Sequence, residues 1–110
     1  MRYLILLWGD AEGEAALSGD ERRRIVDEHI EFSRRLRERG QLVSGEPLEH
    51  GGKLVRDGLV TDGPFVETKE QLGGFYLVEV ESEDEALAVA RDLPASPGLV
   101  AEVRRVPEGS

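Results

Sequence analysis

His29 is the residue of this chain best suited to acid–base chemistry. It shares a helix face with Ile25, Phe32 and Leu36, which follow the i, i+4, i+7, i+11 spacing, so its imidazole is expected to point toward the sheet. An imidazole titrates near neutral pH, and a nearby carboxylate can orient one ring nitrogen while the other faces a substrate. The spacing therefore predicts a general acid or base at His29.

The same histidine also has a purely structural interpretation. A half-buried imidazole is satisfied equally well by a backbone carbonyl or by a tyrosine hydroxyl, and the chain offers Tyr3 and Tyr76. Both interpretations of His29 stay open at this level.

Asp62 is the carboxylate that the sequence suggests as a partner for this histidine. It begins a rigid turn, because Gly63 relieves steric limits and Pro64 fixes φ. In the structural interpretation, Asp62 accepts the amides of its own turn; in the functional one, the turn holds a carboxylate at the mouth of a pocket. The two interpretations are compatible. Phe65, which follows, is expected to fill the core or an interface.

A segment of mixed charge comes next, with Glu67, Lys69 and Glu70. These side chains are expected to lie on the surface or to line a cleft in which Lys69 anchors an anion. The pair at 73–74 is Gly-Gly, which predicts a bulge or a close backbone approach at the start of a strand.

No metal site and no cofactor are predicted. The chain has no cysteine, and its two histidines, His29 and His50, lack the HxxxH or HxH spacing of zinc ligands. The sequence also lacks the Ser-His-Asp, Rossmann and P-loop patterns. A hard-cation site made of carboxylates stays open.

The composition predicts a single domain over residues 1–106, followed by a tail at 107–110. A chain of 110 residues supports one modest core, and 39% hydrophobic with 34% charged residues is typical of a soluble protein. Residues 3–8 lack the features of an export signal, and no apolar run approaches the ~20 residues that span a bilayer, so we expect a cytoplasmic protein. The net charge of −9 argues against nucleic acid as a partner, because phosphate binding needs clustered basic residues.

Strand and helix signals alternate along the chain. Two capping boxes, Ser18 with Glu21 and Ser82 with Glu85, each open a helix, whereas 9–19 is expected to be a loop. Strands are predicted at 2–8, 41–49, 54–56, 59–61, 74–80 and 99–106.

This order predicts an α+β fold, a ferredoxin-like βαβ-ββ-βαβ sandwich with an inserted hairpin and both helices on one face of the sheet. In strands 3–8 and 74–80 both the odd- and the even-numbered residues are apolar, so both faces of these strands must be buried. About five large side chains left in water would forfeit roughly 1.5 to 3 kcal/mol each, most of the stability of such a domain. We therefore predict a homodimer that packs sheet to sheet.

The run DGPF at 62–65, followed by Glu67, TKE at 68–70 and GGF at 73–75, closely resembles the YCII-related, or DGPF-domain, family. The resemblance covers nearly the whole chain. It implies a dimeric α/β barrel built from ferredoxin-like protomers, which agrees with the two-faced strands.

The resemblance also implies a site. A pocket histidine with a carboxylate has been suggested as an active site among relatives of the family, and His29 matches that histidine by its place in the first helix. Asp10, Glu38 and Asp62 are each possible carboxylate partners. The pocket and motif residues implied are Asp10, Gly63, Pro64, Phe65, Glu67 and Lys69.

Two functions from different classes follow. In the first, a small dimeric protein binds an unknown small molecule, His29 acts as general acid or base, and Asp62 orients it. In the second, the protein is a non-catalytic binding or regulatory module that acts with a protein partner such as an extracytoplasmic-function sigma factor, since some family members are encoded near one. The residues name no substrate and leave open whether the protein is an enzyme.

Overall fold

A computed structural model describes residues 1–65 and 69–109 of the chain. The elements, in chain order, are β1 (Arg2–Asp10), α1 (Ala11–Ala15), α2 (Gly19–Glu38), β2 (Leu42–Pro47), β3 (Lys53–Arg56), β4 (Leu59–Asp62), β5 (Glu70–Glu79), α3 (Glu83–Arg91) and β6 (Val100–Arg105).

Four strands form one antiparallel sheet in the order β2-β5-β1-β6. The units β1-α2-β2 and β5-α3-β6 are interleaved in this sheet, because β5 lies between β2 and β1. The prediction of an α+β chain is confirmed. The strand order and the two long helices are consistent with a ferredoxin-like arrangement.

The first long helix, α2, begins and ends as its sequence predicts. Ser18 accepts a hydrogen bond from the Glu21 amide while the Glu21 carboxylate accepts from the Ser18 amide, which completes the capping box. After the helix, Gly40 takes a positive φ of 69°, a conformation that glycine adopts without steric cost. Both ends of the element that carries His29 are therefore held by local interactions.

The core lies between the sheet and the helices α2 and α3. Phe32 and Leu36 of α2 pack against inward-facing residues of the two central strands, and Ala86 and Val89 of α3 complete the same cluster. The buried strand residues are Tyr3, Ile5, Tyr76, Val78 and Val80. This packing fixes the face of α2 that meets the sheet.

The opposite face of the sheet is also apolar. Leu4 pairs with Leu77, and Leu6 pairs with Phe75, in the register of β1 against β5. All four side chains are half-buried. Because side chains alternate along a strand, these four face away from the core formed with α2 and α3.

Two segments differ from the sequence prediction. The stretch expected to be a loop at 9–19 contains the short helix α1, since Asp10 caps it by accepting from the Glu12 amide at 3.1 Å. The strand β5 starts at Glu70, earlier than expected, and Gly73 lies at a register shift opposite Leu7 and Trp8. The predicted bulge at the glycine pair is confirmed.

The hairpin β3–β4 forms a separate two-stranded sheet. Asp57 and Gly58 both have positive φ, as a two-residue primed turn requires, so this prediction is also confirmed. Past the hairpin, the peptide bond between Gly63 and Pro64 is cis. Within the described ranges, no helix is both long enough and apolar enough to cross a membrane.

Candidate functional site

A cavity of about 710 Å3 lies between α2 and the sheet. Its size is within the range of small-molecule sites, which is about 300 to 1,000 Å3. One face of α2 forms a wall with seven residues, and β1, β2 and β5 form another. The α2 residues are Arg22, Ile25, Val26, His29, Ile30, Ser33 and Arg37.

His29 and Tyr76 meet at the wall of this cavity. The His29 Nδ1 atom lies 2.7 Å from the Tyr76 hydroxyl oxygen, and the two rings stack with their centroids 5.9 Å apart. Phe32 packs edge-on against the same tyrosine ring at 5.2 Å. Gly45 lies on its other side, where a Cβ atom would come within 2.7 Å of Tyr76 Cδ1. The tyrosine ring is therefore held between α2 and the backbone of β2.

Ser33 extends this contact into a chain of hydroxyl groups. Its Oγ donates to the Tyr76 oxygen at 3.5 Å, so the tyrosine proton can be donated to His29 Nδ1. An Nδ1 atom that accepts leaves the proton of a neutral imidazole on Nε2. That Nε2 atom has no hydrogen-bond partner in residues 1–65 and 69–109, and the side chain lines the cavity.

Burial keeps both partners of this hydrogen bond neutral near pH 7. Desolvation lowers the pKa of His29 below its ordinary value, and the Glu28 carboxylate opposes that shift only in part. Desolvation also raises the pKa of the Tyr76 hydroxyl, and the Ser33 hydrogen bond opposes it. A neutral phenol and a neutral imidazole are the protonation states that a Tyr-to-His hydrogen bond requires.

Glu14 and His50 form a second polar pair at the same cavity. His50 Nε2 lies 2.9 Å from Glu14 Oε2, and Glu14 is among the residues of the cavity wall. Gly9 leaves room for Glu14, because a Cβ there would come within 2.3 Å of Glu14 Oε1, and the Gly73 backbone lies beside His50, where a Cβ would make an ordinary contact of 3.7 Å with Nε2. Gly73 is three positions before Tyr76 in β5, so this pair lies about 10 Å along the strand from the first.

Two arginines of α2 also reach the cavity. Arg22 is committed to the backbone, because its Nε donates to the Leu17 carbonyl at 3.3 Å and its Nη2 to the Ala15 carbonyl at 3.1 Å. The Arg37 guanidinium makes no hydrogen bond or ion pair to the described part of the chain. The cavity thus combines apolar walls, a half-buried histidine and an uncommitted cation.

The family model of the YCII-related domain matches residues 1–108. The chain belongs to the YCII-related family. A similar protein is an uncharacterised protein of Rhizobium meliloti (strain 1021), which is 37% identical over 102 residues, a match that covers 84% of this chain and 80% of the relative.

The DGPF run that carries the resemblance to YCII-related proteins lies away from this cavity. The Asp62 carboxylate is paired with Lys53 across the hairpin, and its side chain is 83% exposed. Gly63 donates its amide to the Gly52 carbonyl at 2.8 Å. Phe65 is 72% exposed, with the Arg56 guanidinium 5.9 Å from its ring centre, so it does not fill the protomer core.

The other predicted site residues of this YCII-related chain have local roles. Asp10 caps α1, and Glu38 pairs with Arg34 on the surface of α2. The Lys69 carbonyl accepts from the Ala11 amide at 3.1 Å. Pro64 forms the cis bond, and Glu67 lies outside the described residues. In residues 1–65 and 69–109, no three His, Asp or Glu side chains are grouped to hold a metal ion.

The sequence singled out His29 among the residues of this cavity wall, but not Glu14 or Arg37, nor the contact of Glu14 with His50. Tyr76 appeared there only as an alternative that would satisfy the ring. A signal for Arg37 was present, because it follows His29 and Ser33 at intervals of four residues on one helix face. Nothing comparable marked the Glu14–His50 pair, which joins two segments that lie far apart in the chain.

Proposed function

We propose that this protein binds a small molecule in the cavity beside α2 and that His29 acts on it as a general acid or base. The observation that carries the proposal is the 2.7 Å contact between His29 Nδ1 and the Tyr76 hydroxyl at the cavity wall. In this proposal Tyr76 orients the imidazole, the part that sequence reasoning gave to Asp62. A contribution of Asp62 itself stays a prediction.

The chemistry follows from the tautomer. With Nδ1 accepting from Tyr76, Nε2 carries the proton and can donate it to an oxygen atom of a bound molecule. Because burial lowers the pKa of His29, the imidazole is neutral at pH 7 and can also take up a proton during a reaction. General acid–base catalysis by a positioned side chain contributes about 10²- to 10⁴-fold to a rate.

Deuterium incorporation tests this role without a known substrate. A panel of enolisable carbonyl compounds is incubated with the protein in D2O, and exchange at the carbon next to the carbonyl is followed by proton NMR. We expect exchange above the buffer rate for some members, and a drop of about 10²-fold or more in the His29→Gln variant. The Tyr76→Phe variant is expected to lose part of the rate.

Tyr3→Phe is the matched control, since Tyr3 is a buried tyrosine of the same sheet whose hydroxyl makes no hydrogen bond in the described part of the chain. It should keep the wild-type exchange rate. Exchange that is unchanged in His29→Gln, or absent across the whole panel, would remove His29 from the role of acid or base.

We also propose that the protein works as a homodimer in which the outer sheet faces pack together as a dimeric α/β barrel. The support is the half-buried row of Leu4, Leu6, Phe75 and Leu77, which has no cover from α2 or α3. Burying such side chains contributes about 1.5 to 3 kcal/mol each.

Light scattering after size exclusion tests the dimer. The wild type should elute with twice the chain mass of 12.2 kDa at micromolar concentration. Leu6→Lys should shift the mass toward the monomer, because it places a charge in the apolar interface. Ala88→Lys, on the exposed side of α3, should leave the dimer intact. A monomer mass for the wild type would refute the proposal.

The second candidate function is a regulatory module that binds a protein partner such as a sigma factor. The hairpin favours it, since Val55, Leu59 and Val60 are exposed there. The deuterium experiment separates the two candidates, because a module of this kind has no exchange activity that depends on His29.

A further inference from the structure

We infer that the cavity takes a small organic anion, a molecule with an apolar body and a carboxylate that pairs with Arg37. The inference rests on the proposed function, because it assigns a chemical class to the ligand of the same cavity. Its basis is the set of charges at the cavity wall, of which only one cation has no partner in the described part of the chain.

Two of the charged side chains at the wall are already engaged. Arg22 donates to the carbonyl groups of Ala15 and Leu17. Glu14 is bound to His50 at 2.9 Å. These contacts use Nε and Nη2 of Arg22 and one carboxylate oxygen of Glu14, so the protein itself holds both side chains in place.

Glu46 borders the cavity through its backbone. It pairs with Phe75 in the sheet, whereas its neighbour Gly45 pairs with Tyr76, whose side chain faces α2. Since side chains alternate along a strand, the Glu46 carboxylate points to the other face of the sheet. The negative charge of Glu46 therefore does not neutralise Arg37 within the cavity.

Arg37 differs from most of the arginines around it on α2. Arg24, Arg34 and Arg35 each have a glutamate three or four residues away and pair with it. The positions at these distances from Arg37 hold Ser33, Arg34, Gly40 and Gln41, so no carboxylate is available on its own helix. In a chain of net charge −9, a cation left unpaired at a cavity is available to an anionic ligand.

The distance from Arg37 to His29 sets the size of the ligand. The two residues are two helix turns apart, about 12 Å along the axis, and helical side chains lean toward the N-terminus, which brings the guanidinium nearer to His29. Ile30 and Ser33 lie between them on the cavity wall. A carboxylate bound to Arg37 would thus place the apolar body of a small molecule beside the imidazole.

Matched pairs of acids and amides test the charge requirement. The probes are 3-phenylpropionate with 3-phenylpropanamide, and 4-phenylbutyrate with 4-phenylbutanamide. Each is titrated into the purified 15N-labelled protein in its native oligomeric state. Binding is followed by the NMR signals of the His29 ring and the Arg37 side chain. We expect each carboxylate to bind about tenfold more tightly than its amide, because a hydrogen bond to a charged group is stronger than one to a neutral group.

Three variants make the test specific to Arg37. Arg37→Gln should abolish the preference for the carboxylate, and Arg37→Lys should retain part of it. Arg23→Gln removes the same charge from the same helix outside this cavity and should leave the preference unchanged. Circular dichroism of each variant verifies that it is folded.

The inference is overturned by any of three results: equal binding of acid and amide, a preference that survives in Arg37→Gln, or no binding by either pair. Its failure can be told from failure of the proposed function. Equal binding of acid and amide, together with deuterium exchange that depends on His29, would contradict only the inference that the ligand is an anion. Carboxylate binding that depends on Arg37, without such exchange, would contradict only the acid–base role of His29.

Discussion

Replacing Phe32 with alanine is expected to lower the free energy of unfolding by about 3 to 5 kcal/mol. The Phe32 side chain is only 2% exposed and is one of the largest fully buried groups of the core. Its removal leaves a cavity between α2 and the central strands and takes away the edge contact on Tyr76. A loss of this size is a large part of the stability of a domain of about 100 residues.

Urea denaturation followed by circular dichroism measures this change, with Ile30→Ala as the matched control. Ile30 lies on the same helix two residues earlier but is 64% exposed, so its truncation should change the free energy of unfolding by only about 0.5 kcal/mol. Equal losses in the two variants would mean that α2 meets the sheet through a different face.

Acidification from pH 7.5 to pH 5.5 is expected to destabilise the folded protein through His29. Burial lowers the pKa of His29 in the folded state below its ordinary value of 6.5. As the pH falls through about 6.5, His29 becomes protonated in the unfolded chain while it stays neutral in the folded chain. The free energy of unfolding therefore decreases. The loss continues until the pH has fallen through the pKa of the folded state.

The contribution of His29 is isolated by comparing the wild type with His29→Gln in urea at each pH. The wild type should lose stability relative to the variant as the pH falls, and the difference should be constant well above pH 6.5. His50→Gln reports the other histidine in the same series. Parallel pH dependences of wild type and His29→Gln, or a wild type that gains stability on acidification, would contradict a half-buried neutral imidazole.

Local signals account for what the sequence predicted well. The capping box at Ser18 and the apolar spacing through Phe32 and Leu36 locate α2 and the face it buries. Asp57-Gly58 specifies its own turn, since both residues adopt positive φ. These features depend on residues close together in the chain, and the sequence contains all the information they need.

The partner of His29 required tertiary information. Tyr76 meets it across 47 positions, and that contact depends on the register of β5 against the rest of the sheet. Asp62 was predicted as the partner because its turn is rigid. A rigid turn does not determine which way the side chain points, and the Asp62 carboxylate is paired with Lys53. Glu14 was hidden because the stretch around it was expected to be a loop.

Gly45 of β2 allows the Tyr76 ring to lie directly against the strand backbone, because it has no side chain. Any larger residue there would press on the Tyr76 ring at 2.7 Å and on the Phe75 carbonyl at 3.0 Å. A shift of the ring away from such a residue would move its hydroxyl relative to Nδ1 of His29. A change from glycine to alanine at this position would therefore alter the environment of the imidazole without replacing His29 or Tyr76, so a relative that keeps both residues need not share the acid–base role proposed for His29.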